Sequence, residues 1–194
     1  MEEFLFYIKM GLEHVLDLNA YDHILFLAAL TIPFSFKTWK KVVLLATVFT
    51  AAHCLSLALS AYGLVTVNAS LIEFLIPVTI MLTALFNLLY MRNTTTAQSM
   101  QGHVLTTLLF GLIHGFGFSN YFRMLMAEED NKLIPLLGFA AGIEISQVTI
   151  VFSVLSVSWA IIVGTKLRKV LFIGITSILI ILLTIPMLVR TFPV

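Results

Sequence analysis

Long apolar stretches alternate with short polar ones from about residue 20 to the end of the chain. Six of them have the length of a membrane span, which needs about 20 mostly apolar residues to cross about 30 Å of hydrocarbon. Their bounds are about 20–36, 42–62, 70–90, 103–122, 134–164 and 170–189. The pattern predicts an all-α fold, a polytopic membrane helix bundle of about six transmembrane helices that forms a single membrane domain over residues 1–194.

The segment before the first predicted span has a different pattern. Over residues 2–18, apolar positions recur near helical spacing, but charged residues interrupt them throughout. This mixture predicts an amphipathic helix that is interfacial or partly inserted, rather than a free span. The start, Met1-Glu2-Glu3, lacks the basic region of a secretory signal peptide. We therefore expect the segment to belong to the working protein.

The composition agrees with a membrane location. Hydrophobic residues make up 60% of the 194 residues and charged residues 11%, whereas soluble domains carry about 25% charged residues. Membrane lipid is therefore an expected partner. The net charge of +1 gives no reason to expect a nucleic-acid partner. A single cysteine, Cys54, excludes an internal disulfide, and the sequence leaves the oligomeric state open.

The distribution of basic residues predicts the orientation. Connections after the first, third and fifth spans share one side of the membrane, and they carry seven basic residues: Lys37, Lys40, Lys41, Arg92, Lys166, Arg168 and Lys169. The other side carries four: Lys9, Arg123, Lys132 and Arg190. Short cytoplasmic loops are enriched in Lys and Arg. The first side is therefore predicted to be cytoplasmic, with both termini outside.

Ionisable side chains interrupt the apolar segments, although each costs about 2.5–3.5 kcal/mol at the centre of a bilayer. They are His14, Asp22, His23, His53, Glu73, His114 and Glu144. Counted from the segment ends at about 1.5 Å per helical residue, all fall in the outer half of the membrane. The pattern predicts one layer of imidazoles and carboxylates drawn from at least five segments.

Such a layer has the composition of a transition-metal site. Imidazoles with one or two carboxylates suit zinc, nickel, copper, cobalt or iron. Adjacent helical residues point about 100° apart, so one of Asp22 and His23 would ligate while the other orients an imidazole; which does so stays open. Glu73 lies close enough to the surface to be solvated. In the contrasting interpretation, the histidines only hydrogen-bond between helices of a structural or sensory subunit.

Several strings together resemble the HupE/UreJ family. They are GLEH at 11–14, DHILF at 22–26, FTAAHCLSL at 49–57, IE at 72–73, FGLIHGFGF at 110–118 and FAAGIEISQ at 139–147. The resemblance implies a nickel or cobalt permease of the bacterial inner (plasma) membrane, associated with hydrogenase or urease systems. It also implies six metal-handling residues: His14, Asp22, His23, His53, His114 and Glu144.

The chain departs from the family pattern at four places. Seven residues separate His14 from Asp22, more than in the better-studied permeases, and a second histidine near His114 is absent. Ala140 and Ser146 stand where this branch of the family usually has Asn and Gly. These departures leave the predicted layer intact but bear on the choice of metal.

Two functions fit the residues. In the first, a permease captures a divalent cation (nickel, cobalt or zinc) from outside in the layer and passes it inward, although the inner half offers only Thr83, Asn87 and Thr106 as relays. In the second, an intramembrane zinc hydrolase uses Asp22 or Glu144 as general base towards a lipid or lipid-linked substrate. The family resemblance favours transport.

Overall fold

The computed structural model describes residues 2–91, 100–127, 129 and 131–193. These residues form seven α-helices and no strand, which confirms the all-α fold. The helices are α1 Glu2–Leu16, α2 Asp22–Thr31, α3 Trp39–Ala61, α4 Ala69–Tyr90, α5 Met100–Leu125, α6 Leu133–Thr165 and α7 Lys169–Arg190, with a 3-10 turn Phe36–Thr38 before α3. Within the described part, five helices, α3 to α7, are long and apolar enough to cross a membrane.

The first predicted span, 20–36, is corrected by the structure. Only its middle is helical, as the ten-residue α2, which at about 1.5 Å per residue is half the thickness of a bilayer core. Residues 17–20 lie outside any helix before it. Pro33 follows soon after its end, and proline cannot donate the backbone hydrogen bond that a continuing helix needs.

Helices α1 and α2 lie one after the other alongside the long helix α6. The start of α1 lies at the α5–α6 connection, where the Tyr7 hydroxyl donates to Glu129 Oε1 at 3.1 Å. The end of α2 lies at the α6–α7 connection, where Lys169 Nζ donates to the Pro33 carbonyl at 2.6 Å. Helices α1 and α2 thus form a candidate first crossing, as two half-helices with a break between them. The count of about six crossings stays a prediction, for which this broken pair and the five long helices are the candidates.

Two helix pairs approach closely through glycines. Gly138 and Gly142 of α6, four residues apart, face the backbone of α1, and Gly111 and Gly115 of α5 face the backbone of α3 in the same way. Small residues at four-residue spacing let membrane helices approach closely. Each pair runs in parallel, because later residues on one helix meet later residues on the other.

These pairings define two faces of the bundle. The terminal face holds the start of α1, the α5–α6 connection, the start of α4 and the end of α7. The basic face holds the α2–α3 and α6–α7 connections, and with them six of the seven basic residues: Lys37, Lys40, Lys41, Lys166, Arg168 and Lys169. The seventh, Arg92, lies outside the described residues. The predicted grouping of these charges on one side therefore agrees with the chain path.

Candidate metal centre

Four histidines from four helices meet at the break in the first crossing. His14 lies in the last turn of α1 and His23 in the first turn of α2, while His53 and His114 come from the interiors of α3 and α5. The His23 ring centroid is 4.7 Å from that of His14, 5.5 Å from that of His53 and 5.3 Å from that of His114. His23 is therefore the centre of the cluster.

Three of these imidazoles are close enough together to share a cation. His14, His23 and His53 each offer a ring nitrogen that lies within 4.8 Å of the other two. Nitrogens at about 2.0–2.1 Å from a tetrahedral ion are about 3.4 Å apart, so a modest side-chain contraction would bring all three to bonding distance. His114 lies outside this group and contacts it through His23.

The cluster is buried, and several of its nitrogens have no hydrogen-bond partner among the described residues. His23, His53 and His114 are 3%, 0% and 1% exposed. Among the described residues, no hydrogen-bond partner reaches His14 Nε2, His23 Nε2, His114 Nδ1 or either nitrogen of His53. Buried polar atoms are nearly always paired with protein, water or an ion. Five such atoms in one cluster match the donor set of a metal bound by imidazoles.

Asp22 is placed to orient His23. Its Oδ1 lies 3.1 Å from His23 Nδ1 and also accepts the backbone N–H of His23 at 2.8 Å. A carboxylate only accepts, so Nδ1 carries the proton and Nε2 presents its lone pair to the cluster. This is the carboxylate–imidazole arrangement found behind metal-binding histidines. Of the two roles that the sequence left open, the contact gives Asp22 the orienting one.

Thr79 of α4 orients His114 in the same sense. Its hydroxyl lies 3.0 Å from His114 Nε2 and donates its own proton to the Ile76 carbonyl at 2.7 Å. The hydroxyl oxygen is therefore the acceptor, Nε2 carries the proton, and the lone pair of His114 is on Nδ1. Sequence reasoning missed Thr79. The signal was its four-residue spacing from Thr83 and then from Asn87, which marks one polar face of α4.

The Glu144 carboxylate is hydrogen-bonded to α3 and not to the histidines of the cluster. Its two carboxylate oxygens each accept one hydroxyl from α3, at 2.6 Å from Thr47 and 2.6 Å from Thr50. These bonds tie α6 to α3 and occupy the carboxylate outside the group of three histidines. Gln147, one turn on, is fully buried and its amide lacks a partner among the described residues. The role of Glu144 as a metal ligand stays a prediction.

A cavity of about 430 Å³ leads from the terminal face to Asp22. Residues of α4, α7 and the break line it, including the ionisable Asp22, Glu73 and Arg190. Glu73 is exposed, as its predicted position near the surface suggested. Asp22 lines this cavity and also contacts His23, so it stands between the cavity and the cluster.

Phenylalanines close the remaining sides of the cluster. The rings of Phe118 and Phe139 lie 4.1 and 5.5 Å from His14 and stack on each other. The rings of Phe26 and Phe49 lie 5.2 and 5.1 Å from His114. No role was predicted for these aromatic residues, although all four stand within the strings that carry the family resemblance. They exclude water, which strengthens electrostatic interactions inside the site.

These features define a membrane helix bundle with a buried histidine cluster that could hold a metal ion. The chain belongs to the HupE/UreJ family, since the family described as HupE / UreJ protein matches residues 1–190. No curated protein and no solved structure shows a significant match to it. The suspected family is thereby confirmed.

Proposed function

We propose that the protein is a permease for a divalent transition-metal cation, nickel or cobalt, which it binds through His14, His23 and His53. One observation carries this proposal: three imidazoles from three helices converge in a buried site beside a polar cavity, with nitrogens that have no partner among the described residues. A cation would satisfy those nitrogens and explain why the bundle tolerates so many buried polar atoms. Membership of the family supports the same cargo.

The proposed direction of transport is inward across the bacterial inner membrane. The basic face would be cytoplasmic by the positive-inside rule, which places both termini and the 430 Å³ cavity on the outer side. Glu73 and Asp22 would attract the cation into that cavity. The membrane potential then favours entry by about 2.3 kcal/mol per charge per 100 mV.

An intramembrane zinc hydrolase is the second candidate function. Three histidines and an open fourth position are the ligand pattern of catalytic zinc, and Asp22 borders the cavity from which a substrate would come. The aromatic rings packed against His14 and His114 favour a small cation over a bulky substrate at these two histidines. Glu144, the other proposed base, is occupied by two threonines.

The experiment that tests the permease combines binding with flux. The full chain, purified in detergent, is expected to bind one equivalent of nickel or cobalt by elemental analysis, and His53→Ala to lose it. In proteoliposomes with a metal-sensitive dye inside, the wild type is expected to import the ion when the potential is negative inside. Tightly held zinc without flux would favour the hydrolase, and no bound metal would exclude both functions.

The orienting role of Asp22 gives a separate prediction. Asp22→Ala is expected to weaken cobalt binding about 10–100-fold, the usual effect of removing a partner behind a metal-bound histidine. Asp22→Asn keeps an acceptor for His23 Nδ1 and is expected to recover part of that loss. Titration calorimetry measures both. Asp17→Ala is the control, because the Asp17 carboxylate accepts hydrogen bonds from Asn19 in the exposed break. Equal affinity in Asp22→Ala and wild type would contradict the assignment.

A further inference from the structure

A second polar cavity lies on the other side of the histidine cluster, towards the basic face. It has a volume of about 40 Å³, where about 10–15 Å³ suffices for one water molecule. Its polar lining comes from α4 and α5 as Thr83, Asn87, His103, Thr106 and Thr107, and its apolar lining includes Phe26 and Phe110. No step of the function proposed above uses it.

The hydrogen bonds around this cavity leave it lined with oxygen acceptors. Thr83 donates its hydroxyl proton to the Thr79 carbonyl at 2.8 Å, and Thr106 donates to the Gly102 carbonyl at 2.9 Å. Asn87 donates its amide N–H to the Ala29 carbonyl at 2.7 Å, so its side-chain carbonyl is the atom left to accept. With their protons used inside the helices, these groups can offer lone pairs. Oxygen lone pairs bind divalent cations.

A single layer of aromatic rings separates the two sites. Phe26 lines the second cavity, and its ring lies 5.2 Å from the His114 ring. It stacks on Phe49 at 4.8 Å and meets Phe110 at 6.1 Å, and it is 1% exposed. The Phe26 ring therefore stands between the cavity and His114.

A polar stripe on α4 runs past this aromatic layer. Thr79, Thr83 and Asn87 follow at four-residue spacing and so share one helix face. Thr79 contacts His114, while Thr83 and Asn87 line the second cavity. The stripe therefore connects the cluster to the second cavity on one continuous face.

We infer that the second cavity is a weaker cation site, in which a partly hydrated divalent transition metal is held by Thr83, Asn87 and Thr106 oxygens after it leaves the histidines. Its role as the exit station of a transport path rests on the permease function proposed above. The binding site itself is independent of transport. Oxygen donors hold such ions less tightly than imidazoles, so the ion moves from a tight site to a loose one on the way in.

The test is a cobalt titration of the full chain in detergent. We expect two classes of site in the wild type, one tight and one at least 10-fold weaker. Thr83→Val combined with Thr106→Val is expected to abolish the weak class and leave the tight class within about twofold, which also shows that the variant is folded. His53→Ala is expected to do the reverse. Thr149→Val is the matched control, because Thr149 makes the same intrahelical bond on the exposed side of α6.

The outcomes separate this inference from the permease function. A single class of sites in the wild type, or a weak class unchanged in the double variant, overturns the second site. Two classes without flux in proteoliposomes remove the transport function and leave the second site standing. Flux that falls at least 10-fold in the double variant, with Thr149→Val at the wild-type rate, supports both. Flux that stays at the wild-type rate in the double variant removes the exit role.

Discussion

His23→Ala is expected to weaken nickel or cobalt binding at least 100-fold, the largest effect of any single substitution in the cluster. His23 is the only one of the four histidines whose ring contacts the other three. Its removal takes away one of three ligands and also leaves the Asp22 carboxylate without the imidazole that it orients. A 100-fold loss corresponds to about 2.8 kcal/mol of binding free energy, and equilibrium titration with a competing chelator measures it.

The same variant distinguishes a metal ligand from a structural histidine. His23 Nε2 has no partner among the described residues, so the metal-free protein loses only the hydrogen bond from Nδ1 to Asp22 when the side chain is deleted. We expect the melting temperature without metal to change far less than the increase that saturating metal produces in the wild type. A variant that melts early without metal yet keeps its affinity would show that His23 only holds helices together.

Gly142→Ala is expected to prevent α1 from docking and so to disrupt the whole site. A Cβ atom on Gly142 would overlap the Ile8 carbonyl oxygen, and it would lie 2.9 Å from the Leu12 backbone nitrogen. Both obstacles are backbone atoms, which cannot move aside as a flexible side chain does. Displacement of α1 carries His14 away from His23. We expect at least a 10-fold loss of metal affinity and a lower melting temperature, measured on the same preparation.

Gly164→Ala is the matched control for this prediction. Gly164 lies on the same helix, α6, and a Cβ atom there would meet no atom within 4 Å. Its replacement is therefore expected to leave affinity and melting temperature at the wild-type values or slightly higher, since alanine favours helix over glycine. If the two alanine variants had the same metal affinity and melting temperature, the close approach of α1 to α6 would not be what holds the histidine cluster together.

Much of the fold could be predicted from the apolar pattern alone. The bounds of each of the five long helices lie within a few residues of those of the predicted span. A run of about 20 apolar residues in lipid forms a helix because its backbone N–H and C=O groups can then hydrogen-bond within the segment. The first crossing was harder to predict. The run over 20–36 is apolar enough for a span, but hydropathy carries no information about where a helix stops. The helix predicted within residues 2–18 is present as α1, and its insertion into the membrane stays a prediction.

The candidate site was predictable as a set of residue types and depths. His23 and His53 were placed in one layer by counting along segments, whereas His14 was equally compatible with a solvated position at the interface; the structure brings all three together. Counting residues along a segment does not predict which atoms hydrogen-bond to an individual side chain. Glu144 lies in the predicted layer, but its two oxygens face Thr47 and Thr50 of α3, and rotation of a helix about its axis is set by packing. The role of Thr79 was not predicted, because a threonine hydroxyl in a membrane helix can donate its hydrogen bond to a backbone carbonyl of the same helix and needs no other partner.

The break between α1 and α2 has a consequence for biogenesis. Neither half-helix is long enough to cross the bilayer by itself, at 15 and 10 residues. Helix α1 packs on α6, which is synthesised more than a hundred residues later. The nascent chain therefore cannot complete its cluster of imidazoles until α6 has entered the membrane. Metal loading would then be one of the last steps in maturation. A chain truncated before α6 would lack the complete histidine cluster and would not bind free metal there.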